Sequence, residues 1–324
     1  MAAAATSVGR RRFVGLRRVL EPVAGAHGGA RIMLWSGAAI TTFFIVLALI
    51  GPSISPYRFD QYQANGQRFE QLAHPSSDHL FGTTVQSTDV LSRVIWATRT
   101  ELEVVFLSLI FGLLVGVPLG LISGYFSGPL DRGLVLIMDA LFAFPYLLLA
   151  IVIAFLLGGQ SVINAAIAIT VVYIPQYFRV VRNHVISVRE ESYVEAARAI
   201  GAKPFTILRR YVFFNVVQNV PVIATLNAAD AILTLTALGF LGYGIQPSAG
   251  AEWGYDISRA ISDASSGIWW TGLFPGLAIV LLVTGLTLLG EGLNETINPV
   301  LRKRRIESPE LGTPTSIVES EVGP

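Results

Sequence analysis

The chain has 324 residues, enough on length alone for about two ordinary domains. Apolar residues make up 52% and charged residues only 14%, with a mean hydropathy of +0.59; soluble chains carry about 25% charged residues, so this composition excludes a normal water-facing surface and indicates a membrane protein. A net charge of +1 offers no basic field for nucleic acid, and the absence of cysteine removes disulfides, zinc–thiolate sites, iron–sulfur clusters and cysteine nucleophiles together.

In chain order, residues 1–31 form an N-terminal tail rich in Ala and Arg. Arg11-Arg12-Phe13 loosely resembles a twin-arginine export signal, but Glu21 and Pro22 interrupt the apolar run such a signal needs, and a basic anchor is the favoured reading. A membrane helix needs about 20 mostly apolar residues. Six stretches qualify: Ile32–Ile50, Leu102–Ser123, Leu134–Leu157, Val162–Val181, Pro221–Leu241 and Thr271–Leu289. The expected organisation is a first membrane helix plus an outer segment over 32–100, a five-helix core over 101–297 and a tail over 298–324. The tail's Glu, Pro, Ser and Thr cannot build a core.

Lysine and arginine set the orientation. With six spans, eighteen of the 23 basic residues fall on the side of both termini and five on the other, which places both termini in the cytoplasm. The outer segment Gly51–Arg99 is long for a connection and suits either a docking surface or a cap over the first span. The second outer loop, Gly242–Trp270, is expected to set Trp253 and Trp269-Trp270 at the membrane interface.

Within the spans, Gly112, Gly116, Gly120 and Gly124 recur every fourth residue and put a small-residue seam on one helix face, where another helix can approach. Pro118, Pro145, Pro175 and Pro275 are expected to kink the second, third, fourth and sixth spans. Asp230 sits near the middle of span five, where an acid costs about 2.5–3.5 kcal/mol. Asn227 and Thr234 lie at i−3 and i+4 from it, so the three suggest a polar stripe, either lining an aqueous route or bonding to another helix. Asp139 lies nearer the cytoplasmic end of its span and can snorkel.

The loop between spans four and five, at about 187–212, carries the clearest local pattern. A short helix is expected from Arg189 to Ile200, with Ser187 as N-cap and Glu190 and Glu191 in the first turn. Gly201 is a natural stop, and Pro204 suits the first turn of a second helix running towards Val212. Tyr193, Val194, Ala197 and Ile200 form its expected apolar face; Glu190, Glu191, Glu195 and Arg198 form the charged one. Such a helix lies on the membrane surface or docks into another protein's groove.

Several activities are excluded. There is no P-loop: Lys203 precedes Pro204, and Lys303 sits in an Arg-Lys-Arg-Arg run. His27, His74, His79 and His184 all lie outside the spans, and no Gly-x-Ser-x-Gly elbow occurs.

Glu195-Ala196-Ala197 followed by Gly201 resembles the EAA loop of ABC importer permeases. His79-Leu-Phe-Gly-Thr83 with Asp89-Val-Leu-Ser-Arg93, Leu238 to Gly244, Ile245-Gln-Pro247, Glu252-Trp-Gly254, Trp269-Trp270, Phe274-Pro-Gly276, Gly290-Glu-Gly-Leu293 and Asn298-Pro299 resemble the C-type permeases of dipeptide and oligopeptide importers, over about residues 32–303. The resemblance implies an all-α polytopic membrane protein of the type I ABC importer permease fold, in a bacterial cell membrane. It implies a heterodimer with a homologous permease, two ABC ATPase subunits and an extracytoplasmic substrate-binding protein. ATP and Mg would be bound by the partner subunits, with no cofactor in this chain. The coupling residues it implies are Glu190, Glu191, Tyr193, Glu195, Ala196, Ala197, Arg198, Gly201, Ala202 and Lys203. The chain departs from the family pattern at Ser87-Thr88 in place of Gly-Arg, at Phe213-Phe214 in place of Leu-Pro, at Asp230, at Leu235, and at Gly239 in place of Ser. The substrate implied is a peptide; relatives serving nickel, haem-like compounds, glutathione or oligosaccharides keep that choice open, and an ion-coupled secondary transporter is the alternative of another class.

Overall fold

The structure is a computed structural model that describes residues 28–158 and 161–297; the tail motifs, including Arg11-Arg12-Phe13 and Asn298-Pro299, lie outside them. The first helix, α1 (Gly29–Ile54), begins before Arg31, so the expected tail boundary at 31 falls inside it. The next, α2, runs Val90–Phe126, and its 37 residues span about 55 Å against a hydrocarbon core of about 30 Å. Its first twelve residues, which include Arg93 and Glu101, therefore project beyond the apolar stretch. The expected boundary at residue 100/101 lies inside this helix, and the outer connection shrinks to residues 55–89.

That connection holds a two-residue hairpin, β1 (Gln63–Ala64) and β2 (Gln67–Arg68), paired antiparallel. Asn65 and Gly66, both at positive φ, make the tight turn, the residue pair such a turn prefers.

The third expected span is broken. Helix α3 (Gly128–Ala143) and helix α4 (Tyr146–Leu156) meet at 94° across Phe144-Pro145. Pro145 has no N–H to continue the ladder, and its ring drives Phe144 into extended geometry (φ −78°, ψ 139°). The other prolines do not interrupt their helices. Pro118 lies inside α2, Pro175 inside α5 (Val162–Arg189) and Pro275 inside α11 (Trp270–Ile297).

After α5 come α6 (Ser192–Ala199), α7 (Pro204–Ile207), a π-helical turn (Leu208–Val212), α8 (Phe213–Val216), a 3₁₀ turn (Val217–Asn219) and α9 (Val220–Phe240). Phe213-Phe214 are thus helical, and residues 204–240 form one irregular helix in place of a Pro-imposed turn. An amphipathic helix, α10 (Trp253–Ser265), precedes α11.

Among the described residues, five helices are long and apolar enough to cross a membrane, six when the bent α3–α4 pair counts as one span. The main core joins α2, α5, α9 and α11 through fully buried Val104, Ile169, Ile232, Leu235 and Leu282. Outward faces stay apolar, as lipid contact requires, with Leu49, Phe106, Leu114, Leu136 and Leu156 all exposed. Trp253 and Trp270 belong to this core and not to an interfacial belt. Their ring N–H groups donate to the carbonyls of Val94 (3.3 Å) and Thr83 (3.2 Å), leaving Trp269 as the exposed member of the three.

Candidate functional site

The short loop helix is built by caps. Helix α5 continues to Arg189, so Ser187 lies inside it, donating to the Asn183 carbonyl at 3.2 Å, and is not the N-cap. The N-cap of α6 is Glu191, so the helix is one turn shorter than expected. At its other end the Gly201 N–H donates to Arg198 O (2.9 Å) and the Ala202 N–H to Ala197 O (3.0 Å), a complete Schellman closure. It requires the left-handed φ of +82° at Gly201. Lys203 then caps α7: its carbonyl accepts from Thr206 N (2.9 Å) and Ile207 N (3.1 Å), with Pro204 at the first helical position.

The expected apolar face divides. Val194 and Ala197 are buried against Val185, Ile207, Leu208 and Val212, a second hydrophobic cluster. Tyr193 and Ile200 point the other way, Ile200 being 82% exposed, because at eight residues α6 has only one inner stripe to bury. The outer surface therefore mixes Glu191, Glu195, Arg198 and Lys203 with Tyr193, Ala196, Ile200 and Phe205. Glu190 lies at the α5 C-cap and pairs with Arg189 at 2.8 Å.

This element is tied to the spans. Arg189 Nη1 donates to the Gly124 carbonyl (3.0 Å) at the end of α2 and to Ser127 Oγ. Arg182 makes a two-pronged pair with Asp131 in the first turn of α3 (2.6 and 2.8 Å), and Ser123 Oγ donates to the same carboxylate. Hydrogen bonding from Arg182 outweighs burial and holds the Asp131 carboxyl at about 2. The sequence reading missed this clamp; its signal was an acid just before an apolar stretch, on the side where basic residues gather.

Above the clamp, the four glycines face α5. An added Cβ would lie 2.9 Å from the Tyr177 ring at Gly112, 2.6 Å from Tyr177 Cβ at Gly116, 2.8 Å from the Phe178 carbonyl oxygen at Gly120 and 2.8 Å from the Arg182 carbonyl oxygen at Gly124. At three of these positions backbone or Cβ atoms block the space, so the seam is a contact of main chains.

Asn227, Asp230 and Thr234 lie along one side of α9 but differ in burial. Asn227 and Thr234 are buried towards α5, with Thr234 Oγ1 donating to the Asp230 carbonyl (2.9 Å) and lying 3.0 Å from Tyr173 OH. Asp230 turns outward into a cavity of about 390 Å³ walled by the α3–α4 break, α5 and α9, with Phe142, Phe144, Tyr146, Tyr173 and Gln176 around it. Asp139 is exposed and pairs with Arg179 at 2.7 Å.

The opposite end of the molecule joins motif residues His79, Asp89, Arg93 and Glu252 to Glu101 and Asp256, which the sequence did not single out. His79 Nδ1 lies 2.9 Å from Asp89 Oδ1, while Asp89 Oδ2 caps α2 by accepting from Ser92 N and Oγ at 2.7 Å each. Arg93 pairs with Asp256 on α10. Glu252 caps α10, accepting from Gly254 N and Tyr255 N at 2.7 Å, beside Glu101, which accepts from Trp253 N at 3.3 Å. Any side chain at Gly239 would meet the Glu252 carboxylate. The signal available was the charge itself: Arg93 and Glu101, two turns apart, lie just ahead of an apolar span. Among the described residues no group of three His, Asp or Glu is placed to hold a metal.

A helical membrane bundle with a capped surface helix, a broken span and a cavity holding one acid, Asp230, fits a transport permease. The comparisons agree. Residues 116–303 match the model of the binding-protein-dependent transport system inner membrane component. The chain is 37% identical over 266 residues to the dipeptide transport system permease protein DppC of Alkalihalophilus pseudofirmus (82% of this chain, 85% of that one). It is 34% identical over 258 residues to the glutathione transport system permease protein GsiD of Pectobacterium atrosepticum (80% and 84%). Inward-facing MetNI, a methionine ABC transporter, has the same fold (TM-score 0.51, 22% identity, 64% of this chain and 96% of that one). The chain belongs to the family of binding-protein-dependent transport inner membrane components: it is a permease subunit of an ABC importer and carries no ATPase site of its own.

Proposed function

We propose that the chain forms, with a second, homologous permease, the membrane pathway of an ATP-driven importer of small peptides, with both termini in the cytoplasm. Two ATPase subunits bind ATP and Mg, one docking on α6 of this chain and the other on the corresponding loop of the second permease, and an extracytoplasmic binding protein delivers substrate to the hairpin end. The relatives named for dipeptide and glutathione transport support the substrate class. The asymmetry of basic residues supports the orientation.

The observation that carries the coupling role is the two-sided α6. Its inner side is locked by Val194 and Ala197 onto α5 and the π turn, while its outer side leaves Tyr193, Ile200 and Phe205 exposed among Glu191, Glu195, Arg198 and Lys203. Motion imposed on α6 passes into α5 through the Val185–Val212 cluster, and into α2 through the Arg189 bonds and the glycine seam. Helices α2 and α5 then move as one body against the α3–α4 break. The test uses the absence of native cysteine: Glu195→Cys in the full complex should cross-link to an ATPase subunit, and Leu114→Cys, exposed on the opposite, lipid-facing surface of the core, should not. Equal cross-linking from both positions would overturn the docking assignment.

A further inference from the structure

The cavity at the α3–α4 break holds an acid that the described residues leave unpaired. Asp230 lies near the middle of α9, between buried Ala229 and Ala231, with its side chain open to the cavity. Among the described residues it makes no ion pair. Arg179, which packs over the ring of the lining residue Phe142 at 4.0 Å from its centroid, is engaged with Asp139 at 2.7 Å. An ionised acid at this depth is costly by about 2.5–3.5 kcal/mol on insertion scales, and such groups in membrane helices mark pathways or pairs.

The surroundings specify what would offset that cost. Aromatic residues Phe142, Phe144, Tyr146 and Tyr173 line the same space, together with Gln176. Tyr173 is held in place by the contact of its hydroxyl with Thr234, whose own hydroxyl is bonded to the Asp230 carbonyl. A carboxylate among aromatic rings is recognition chemistry for an ammonium or guanidinium group, which gains from the acid and from the ring faces together. The volume of about 390 Å³ lies within the range of small-molecule sites.

We propose that this cavity is a transit site for the cationic group of the solute, with Asp230 receiving a free ammonium or guanidinium. This rests on the peptide-importer reading and deepens it: a peptide would be held in the membrane by its free amino terminus or a basic side chain.

Two measurements test it separately. The first is uptake of a dipeptide with a free amino terminus by the reconstituted complex. Asp230→Asn should lower it by about tenfold, one step of 1.36 kcal/mol, and Asp230→Glu should restore most of it. Uptake by Asp230→Asn equal to wild type overturns the site and leaves the importer reading standing. The second needs no substrate. Gln176→Cys in this cysteine-free chain is modified with trimethylammonioethyl and sulfonatoethyl methanethiosulfonate. The rate ratio favouring the cation should fall by about tenfold when Asp230→Asn is added, as loss of a focused negative potential requires. An unchanged ratio overturns the proposal, as does a ratio that favours the cation with neither background, the result expected if a cation of the second permease neutralises Asp230. A wild-type complex that imports no peptide defeats the importer reading alone; the modification ratio still decides the site.

Discussion

The Arg93 guanidinium reaches across 163 positions of sequence to grip the Asp256 carboxylate, with Nη2 at 2.5 Å and Nε at 2.9 Å from Oδ1. The pair fixes α10 against the projecting part of α2, and Arg93 Nη1 also donates to the Phe59 carbonyl at 3.1 Å, so one side chain joins three segments. Both partners are nearly buried, 4% and 11% exposed. Asp256→Ala strands a buried cation, and should lower stability by about 3–5 kcal/mol. Thermal unfolding in detergent checks it. The double replacement Arg93→Met with Asp256→Leu should recover most of the loss, because the cost lies in the unpaired charge and not in the missing pair.

The neighbouring acids predict a pH dependence. Burial pushes Glu252 up from 4.5 to about 7, and burial with the nearby Glu252 charge pushes Glu101 well above the carboxylate range. A carboxyl raised in the folded state holds its proton more tightly there than in the unfolded chain. The contribution of these two acids to stability is therefore greatest at low pH, falls as pH rises from about 4.5 through about 7, and continues to fall while Glu101 titrates. Melting temperature should be higher at pH 5 than at pH 8, and Glu101→Gln, which keeps a neutral side chain at every pH, should flatten the profile.

What the sequence made legible follows from what each signal depends on. The glycine seam and the capped α6 were readable because each rests on local geometry: every fourth residue facing one way, or a left-handed stop at Gly201. The six apolar stretches were readable because lipid demands them. The 94° break was underestimated, because a kink and a break at Pro145 look alike until the neighbouring helices are placed. The Arg93–Asp256 pair was invisible, because nothing local links residues so far apart. Trp253 was misplaced for a related reason: an indole beside a loop suits an interface until a carbonyl, here that of Val94, is found to receive its N–H in the core.

The seam gives a packing prediction. At Gly120 an added Cβ would approach the Phe178 carbonyl oxygen, which a backbone hydrogen bond holds in place, and the β-carbon and methyl of Val181 at 2.9 and 3.0 Å. Gly120→Val should cost about 1–3 kcal/mol through overpacking and lower the yield of assembled complex. At Gly133, where nothing lies within 4 Å, the same change should have little effect. Size-exclusion profiles and melting curves of the two variants check this contrast.

In the proposed function, α6 transmits work from ATP to the pathway. This role is tested most directly by measuring ATP hydrolysis and peptide uptake together in vesicles containing the full complex and its binding protein. Glu195→Arg reverses a charge on the exposed face without touching buried Val194 or Ala197, and Gly201→Asp strains the φ of +82° that closes the helix. Both variants should remain in the membrane and lower peptide imported per ATP hydrolysed by about tenfold. Peptide imported per ATP equal to wild type in both would contradict the account.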